Sequence, residues 1–394
     1  MNDFVFQNTT KVYFGKNQLG HLSEEIKNFG KKVLLVYGGG SIKRIGLYDK
    51  IIAELKKIDA EIFELAGVEP NPRHTTVNKG AKICHKNKID VLLAIGGGST
   101  IDCTKGIAAT YFCESGNCWD LVTKKFPITN ALPIFVISTM AATGSEMDSS
   151  GVISNIETNE KRGISSKLIQ PKVSFLDPTN TFSVSAYQTA CGSADIISHF
   201  IDLKYFADDE QKMYMLDKIV EDVIKTVVKF APIAIKEPTN YEARANLMWS
   251  ASWALNSFLT MGIKMMPSCH MIEHELSAFY DVTHGHGLAI ITPRWMEKIL
   301  QKNPEKVAPQ FKKFGVNIFG VDEKLSDIEG AKAAIEKFKE FLFATLGLKD
   351  KLSNLKVDDK NFKIMAENAC PNGELHGFVT LTPKDVEEIF RASL

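Results

Sequence analysis

Two apolar runs in this chain end in the same glycine-rich turn. KKVLLVYGGGS closes on Gly38, Gly39, Gly40 and Ser41, and IDVLLAIGGGS closes on Gly96, Gly97, Gly98 and Ser99. Each run has the length of one buried strand and leads into a helix-like stretch. IGLYDKIIAELKKI, EIFELAG, HTTVNKGAKICHKNK and ALPIFVIST continue the alternation. Strands separated by helices of about a dozen residues predict βαβ units and a mostly parallel sheet. VISNIETNEKRGISSKLIQPKVSFLD reads as a β-hairpin followed by one more strand. Past Asp177-Pro178 strand signals nearly vanish, and long amphipathic segments such as MYMLDKIVEDVIKTVVKFAPIAI and EARANLMWSASWALNSFL take over. The expected organisation is a Rossmann-like α/β domain over residues 1–184 and an all-helical domain over 185–394.

Glycine at the C-terminal end of a strand lets backbone N–H groups approach a ligand closely. The helix that follows presents its positive end, so a pyrophosphate can sit there. One GGGS alone is equally a tight strand-to-helix turn, but two in one parallel-sheet domain point to a dinucleotide. The cluster Ser138-Thr139-Met140-Ala141-Ala142-Thr143-Gly144-Ser145-Glu146 offers hydroxyls to phosphate or ribose; it reads as well as a helix N-cap with Glu146 completing a capping box. NAD sites often place an acid against the ribose 2′-OH. Here VLLVY runs into glycine with no acid, and Lys43 and Arg44 follow, which favours NADP(H). Those two cations serve equally as a solvated helix face.

The second half carries a different chemistry. Asp195 and His199 are four residues apart in ADIISHF, and His270 and His274 repeat the spacing in CHMIEHELSAFYDVTHGHG, with His284 and His286 close behind. Residues i and i+4 share a helix face, so each pair can aim two polar heads at one point. Imidazoles with one carboxylate suit Zn²⁺ or Fe²⁺ better than Ca²⁺ or Mg²⁺. Taken singly, Asp195 could be an N-cap and His274 a core residue. Together they predict a metal, with a set of four ligands that leaves room for substrate. Spacing does not choose between His270 and His274, one of which can ligate while the other handles protons, and it leaves His286 open.

Lys+Arg and Asp+Glu both number 47, so nothing favours a nucleic-acid or membrane partner. The seven cysteines lack CxxC or framework spacing and read as reduced thiols in the cytoplasm. The N-terminus shows no secretory pattern, and no apolar run reaches membrane-spanning length.

NTTKVYFGK, YGGGSIK, EPNPR, AIGGGSTIDCTKGIA, TMAATGSEMDSSGVISN, GSADIISHFID and CHMIEHELSAFYDVTHGHGLAI together resemble the iron-containing (group III) alcohol dehydrogenases, most of all their NADP-dependent butanol dehydrogenase and aldehyde reductase branch. The resemblance runs essentially end to end. It implies a dehydroquinate-synthase-like architecture, with a metal in the cleft between an α/β and a helical domain, and a homodimer using the segment around Phe4 to Phe14. It places metal ligands at Asp195, His199, His270 and His284, and His274 near the nicotinamide. Gly38, Gly39 and Ser41 would meet the adenosine ribose, with Asn71 nearby in the EPNPR turn. Gly97, Gly98, Ser99 and Asp102 would hold the pyrophosphate, and Thr139, Thr143 and Lys161 would line the rest. Gly38 stands where NAD-preferring relatives carry aspartate. Three departures mark this chain: PTNTFSVSAYQ lacks the usual Leu-Pro, Asp202 replaces a common Glu, and Asp148 replaces a frequent Asn.

The implied reaction is reversible hydride transfer between NADP(H) and a small aliphatic aldehyde or primary alcohol, with the metal, Fe²⁺ or Zn²⁺, as Lewis acid. A glycerol dehydrogenase or sugar-phosphate cyclase on the same fold is the nearest alternative. The apolar surroundings of His270 to His286 favour an uncharged alkyl substrate over a phosphorylated one. A non-catalytic metal or nucleotide sensor would bind cofactor without turnover.

Overall fold

The computed structural model describes residues 2–206 and 213–394. One unit, Gln7–Val184 with Pro238–Asn256, is built on a six-stranded sheet. Its strands are β1 (Lys11–Phe14), β2 (Lys32–Tyr37), β3 (Glu61–Ala66), β4 (Val91–Gly96), β5 (Ile134–Ser138) and β8 (Val173–Leu176), in the spatial order β1-β8-β5-β4-β2-β3 with every pairing parallel. β6 (Ser150–Asn155) and β7 (Glu160–Ser165) form a separate antiparallel hairpin.

The inner strands are apolar at most positions because both faces of the sheet are covered. Leu34, Val36, Leu92, Ala94, Ile134 and Val136 face one core; Val33, Leu35, Val91, Leu93, Phe135 and Ile137 face the other. The first core is closed by helices α2 (His74–Asn87) and α3 (Gly98–Thr110) and by Ile153 and Ile164 of the hairpin. The second is closed by α1 (Leu47–Lys56) through Leu47, Ile51 and Leu55. From β2 the chain moves outward to β3, then returns to lay β4 on the other side of β2. That reversal makes the carboxyl ends of β2 and β4 a topological switch point, where open α/β sheets bind their ligands. The two glycine turns therefore stand side by side, with Tyr37 in register with Ile95.

The other unit holds the N-terminal residues through Phe6, Ser185–Glu237 and Ser257–Leu394. Its longer helices are α4 (Ala186–Phe200), α5 (Tyr214–Lys236), α7 (Ser268–Tyr280), α8 (His284–Lys302), α9 (Pro304–Phe314), α10 (Asp327–Lys339), α11 (Phe362–Ala369) and α12 (Pro383–Ala392). α4 starts at Ser185, whose hydroxyl accepts from the Gln188 N–H, and passes into a π-helical turn at Ile201–Tyr205. α4 and α8 touch backbone to backbone at Gly285, where a Cβ would lie 2.1 Å from the Cys191 carbonyl oxygen. Only glycine permits that approach, which brings His284 against α4.

Helix α6 (Tyr241–Leu255) lies between α5 and α7 in sequence yet belongs to the sheet unit. Asn240 caps it by accepting from the Ala243 N–H. All seven cysteines are free thiols. Among the described residues no helix is long and apolar enough to cross a membrane.

Candidate functional site

Three helices of the helical unit deliver the polar cluster. Asp195 and His199 come from one face of α4, His270 from the first turn of α7, and His284 from the start of α8. Asp195, His199 and His270 each offer a ligand atom within 4.8 Å of the others. His284 joins through its Nε2, 3.8 Å from Asp195 Oδ1.

Each imidazole is turned by an acceptor at Nδ1. His199 Nδ1 lies 2.9 Å from the Asp195 carbonyl oxygen, His270 Nδ1 lies 2.8 Å from Asp202 Oδ2, and His284 Nδ1 meets Glu273 Oε2. Fixing the proton on Nδ1 presents Nε2 as the donor atom, the arrangement that metal-binding histidines use. Asp202 also accepts from the Cys269 and His270 N–H groups at 3.1 and 2.9 Å, so it caps α7 and orients His270 at once.

Charge in this cluster is unusual. Burial alone would push the Asp195 carboxyl up, but the imidazoles of His199, His284 and His270 outweigh burial and hold it well below the usual carboxylate range. Burial pushes His270 down, reinforced by His199 and opposed by Asp202. Asp195 Oδ1 and His270 Nε2 are both buried without a hydrogen-bond partner. Leaving two such atoms unsatisfied costs on the order of 1–3 kcal/mol each. A divalent cation satisfies both, and one carboxylate with three imidazoles suits Fe²⁺ or Zn²⁺.

The structure separates the histidines that spacing left open. His270 stands in the cluster, while the His274 ring lies 5.6 Å from that of His284 and forms a second group with Glu273 and His284. His286 is engaged elsewhere: its Nδ1 meets the Tyr187 hydroxyl at 3.1 Å and its Nε2 the Lys349 carbonyl at 3.0 Å. Sequence reading missed Asp202 and Glu273 as orienting groups.

The proposed cofactor residues fall within the sheet unit. Gly38, Gly39 and Ser41 follow β2; Gly97, Gly98, Ser99 and Asp102 open α3. Gly97 caps α3 without a side-chain bond, which leaves its first amides to a ligand. Thr139 donates its N–H to the Gly96 carbonyl at 3.0 Å, and Thr143 covers Gly98, where a Cβ would meet its side chain at 2.6 Å. Asn71, in a left-handed conformation, precedes Pro72, whose carbonyl accepts from Ser154; Ser154 in turn pairs with Lys161 across the hairpin. The Asp102 carboxylate accepts from the Ser145 hydroxyl at 2.6 Å and the Val152 N–H at 2.9 Å, and burial pushes its pKa up to about 6. Asp148, one of the departures, is paired with buried Lys105 and with the Ser150 hydroxyl.

A doubly covered parallel sheet with a phosphate-ready switch point, joined in one chain to a helical unit with a nitrogen-rich cation site, defines a metal-dependent class of nucleotide-binding proteins. The chain belongs to the iron-containing alcohol dehydrogenase family: the model of that name matches residues 9–178, and the model of the family's C-terminal domain matches 189–394. It is 47% identical to NADH-dependent butanol dehydrogenase A of Clostridium acetobutylicum, over the whole of both chains. To the NADPH-dependent aldehyde reductase of Escherichia coli it is 33% identical, over 97% of this chain and 95% of that one. The crystal structure of NADH-dependent butanol dehydrogenase A from Thermotoga maritima superposes with a TM-score of 0.92 at 39% identity, covering 100% and 99% of the two chains.

Orientation of His284 by Glu273 is directly testable. Glu273→Gln should weaken Zn²⁺ or Fe²⁺ binding by about tenfold or more, read as metal retained against a competing chelator. Retention equal to the unaltered protein would show that Glu273 does not set this ligand.

Proposed function

We propose that the chain is a metal-dependent alcohol dehydrogenase and aldehyde reductase, moving hydride between a nicotinamide dinucleotide and a small aliphatic aldehyde or primary alcohol. The observation that carries this reading is the buried pair Asp195 Oδ1 and His270 Nε2, neither of which accepts or makes a well-directed hydrogen bond, with His199 Nδ1 at 3.1 Å and His284 Nε2 at 3.8 Å gathered around the carboxylate oxygen. A divalent ion held by Asp195, His199, His270 and His284 supplies Lewis acidity to a substrate oxygen; Fe²⁺ is our assignment, and the same donors accept Zn²⁺. The substrate class follows the butanol dehydrogenase and aldehyde reductase names of the relatives.

Asp195 brings the negative charge of the set, and its carboxylate stays ionised because three imidazoles surround it. Asp202 and Glu273 keep His270 and His284 in the tautomer that ligates. We assign His274, one helical turn beyond His270, to holding and passing the proton at the substrate oxygen, because its ring stands beside His284.

For the cofactor we propose that NADP(H) is preferred. Gly38 is not demanded by the backbone: its φ is outside the left-handed region, and a Cβ there would meet only the Val68 carbonyl at 3.4 Å and Thr100 Oγ1 at 4.0 Å. The glycine therefore leaves space, without a carboxylate, where a 2′-phosphate would come. Lys43 tempers the preference. Its ammonium lies over the Tyr37 and Tyr48 rings and 3.8 Å from Glu64, whose carboxylate accepts from both tyrosine hydroxyls. A cation so balanced attracts a phosphate only weakly, which fits a family whose members carry both NADH- and NADPH-dependent names.

Metal-stripped protein should reduce no butanal and should recover with Fe²⁺ or Zn²⁺, consuming NADPH faster than NADH. Absence of turnover with either cofactor and any metal would end the short-chain reading. Gly38→Asp should lower kcat/KM for NADPH about tenfold or more through like-charge repulsion and spare NADH; unchanged discrimination would locate the 2′-phosphate elsewhere. His274→Phe should lower kcat by about 100-fold, with metal retained, and flatten its pH profile. Full activity across pH would take His274 out of proton transfer.

A further inference from the structure

Helix α6 departs from its sequence neighbours to join the sheet unit, and part of its inner face meets the short segment Gly144 to Glu146. Gly144 has φ +72°, and a Cβ there would stand 2.3 Å from the Ala251 carbonyl oxygen. Two residues on, the Ser252 hydroxyl donates to Glu146 Oε1 at 2.5 Å. Both side chains are buried, Ser252 completely and Glu146 to 4% exposure. Burial pushes the Glu146 carboxyl up, and Ser252 opposes it. From the other side, the Ser174 hydroxyl of β8 donates to the Glu146 carbonyl at 2.7 Å. The segment is thus pinned between α6 and the sheet.

What it carries lies one residue away on each side of Gly144. Thr143 covers Gly98 at the N-terminus of α3, and its Oγ1 accepts from the Ser145 N–H at 3.2 Å. The Ser145 hydroxyl donates to Asp102 at 2.6 Å and accepts from the Lys105 ammonium at 2.8 Å. The loop over the phosphate end of α3 therefore has two anchors, one on α3 and one on α6. An apolar pair at 146 and 252 would fill the same space without direction. A buried carboxyl with a single directed hydroxyl partner fixes register, and that is the use for which a costly buried polar pair is retained.

We propose that Ser252 and Glu146 are positioning residues for the dinucleotide: through Gly144 they set Thr143 over Gly98 and so shape the pyrophosphate seat without touching the cofactor. The proposal rests on the reading that the loops after β4 and β5 hold the dinucleotide. It also gives α6 a role that its place in the sequence, between the metal-bearing helices, does not announce.

The test is equilibrium binding of NADPH to the metal-loaded protein, followed by cofactor fluorescence, with metal retention against a chelator measured in parallel. Ser252→Ala and Ser252→Cys should each raise Kd about 3- to 10-fold, the loss of one buried hydrogen bond. KM for NADPH should rise with it, while KM for butanal and metal retention stay as in the unaltered protein. Glu146→Gln, which keeps an acceptor for Ser252, should bind NADPH within about twofold of normal. Either Ser252 variant, folded and binding NADPH as tightly as the unaltered protein, overturns the proposal. So does a lower melting temperature with unchanged Kd, which is what a merely structural contact would give. If the unaltered protein itself binds neither NADPH nor NADH, the cofactor reading fails first and takes this proposal with it.

Discussion

A carboxylate that is nearly sealed from water needs positive charge close by, and Asp195 dictates the surrounding structure for that reason. It is 3% exposed, and one of its oxygens receives no hydrogen bond. Burying an ionised group without compensation is far more costly than any single packing contact. The imidazoles of His199, His284 and His270 offset that cost, and a cation bound among the same groups would serve the same end. The cluster makes sense as a cation site in which the protein has placed its donors in advance. Pre-placement explains the contacts behind them: Gly285 lets α8 come within backbone contact of α4, and Asp202 and Glu273 hold two rings at fixed rotation. The geometry of the donor set is thereby decided by groups outside it.

The sheet unit follows the same logic with a different ligand. Parallel pairing of β2 with β4 sets two glycine-terminated strands side by side, and chain reversal opens the crevice at their ends. Glycine plays two distinct parts there. At Gly98 it makes way for Thr143, a neighbour inside the protein, and at Gly38 a Cβ would make only ordinary contact with the Val68 carbonyl at 3.4 Å.

Much of this was legible in the sequence. The inner strands declare themselves because parallel strands buried on both faces are apolar at nearly every position, whereas the edge strand β1, with no buried residue, leaves no such run to read. Asp195 and His199 were legible because helical spacing puts both on one face. Local periodicity could not say that His270 rather than His274 joins them, since that depends on Asp202, 68 residues away. Nor could it assign α6 to the sheet unit. The run EARANLMWSASWALNSFL declares a helix but not which core it serves, and its decisive partner, Glu146, lies 106 residues from Ser252. Long-range polar pairs leave no period in the sequence.

The π-helical turn at Ile201–Tyr205 shows how such a pair becomes geometry. An α-helix continued past Phe200 would advance each side chain by a regular angle; the wider turn shifts that register, a device common at functional sites. Within this one turn Asp202 reaches the start of α7, while Lys204 reaches Asp217 at 2.9 Å and Tyr205 reaches Glu221 at 2.7 Å, both on α5. Lys313 of α9 closes the network on Asp217 at 3.2 Å, and Asn317 closes it on Glu221 at 2.8 Å. Lys204 and Asp217 are almost wholly buried, so their mutual attraction does little more than offset the water they lost. Their value is directional. Lys204 and Tyr205 are tied to α5 in the same turn from which Asp202 meets His270. The ion pairs on α5 and α9 thus stand one turn behind Asp202, the residue whose carboxylate meets His270.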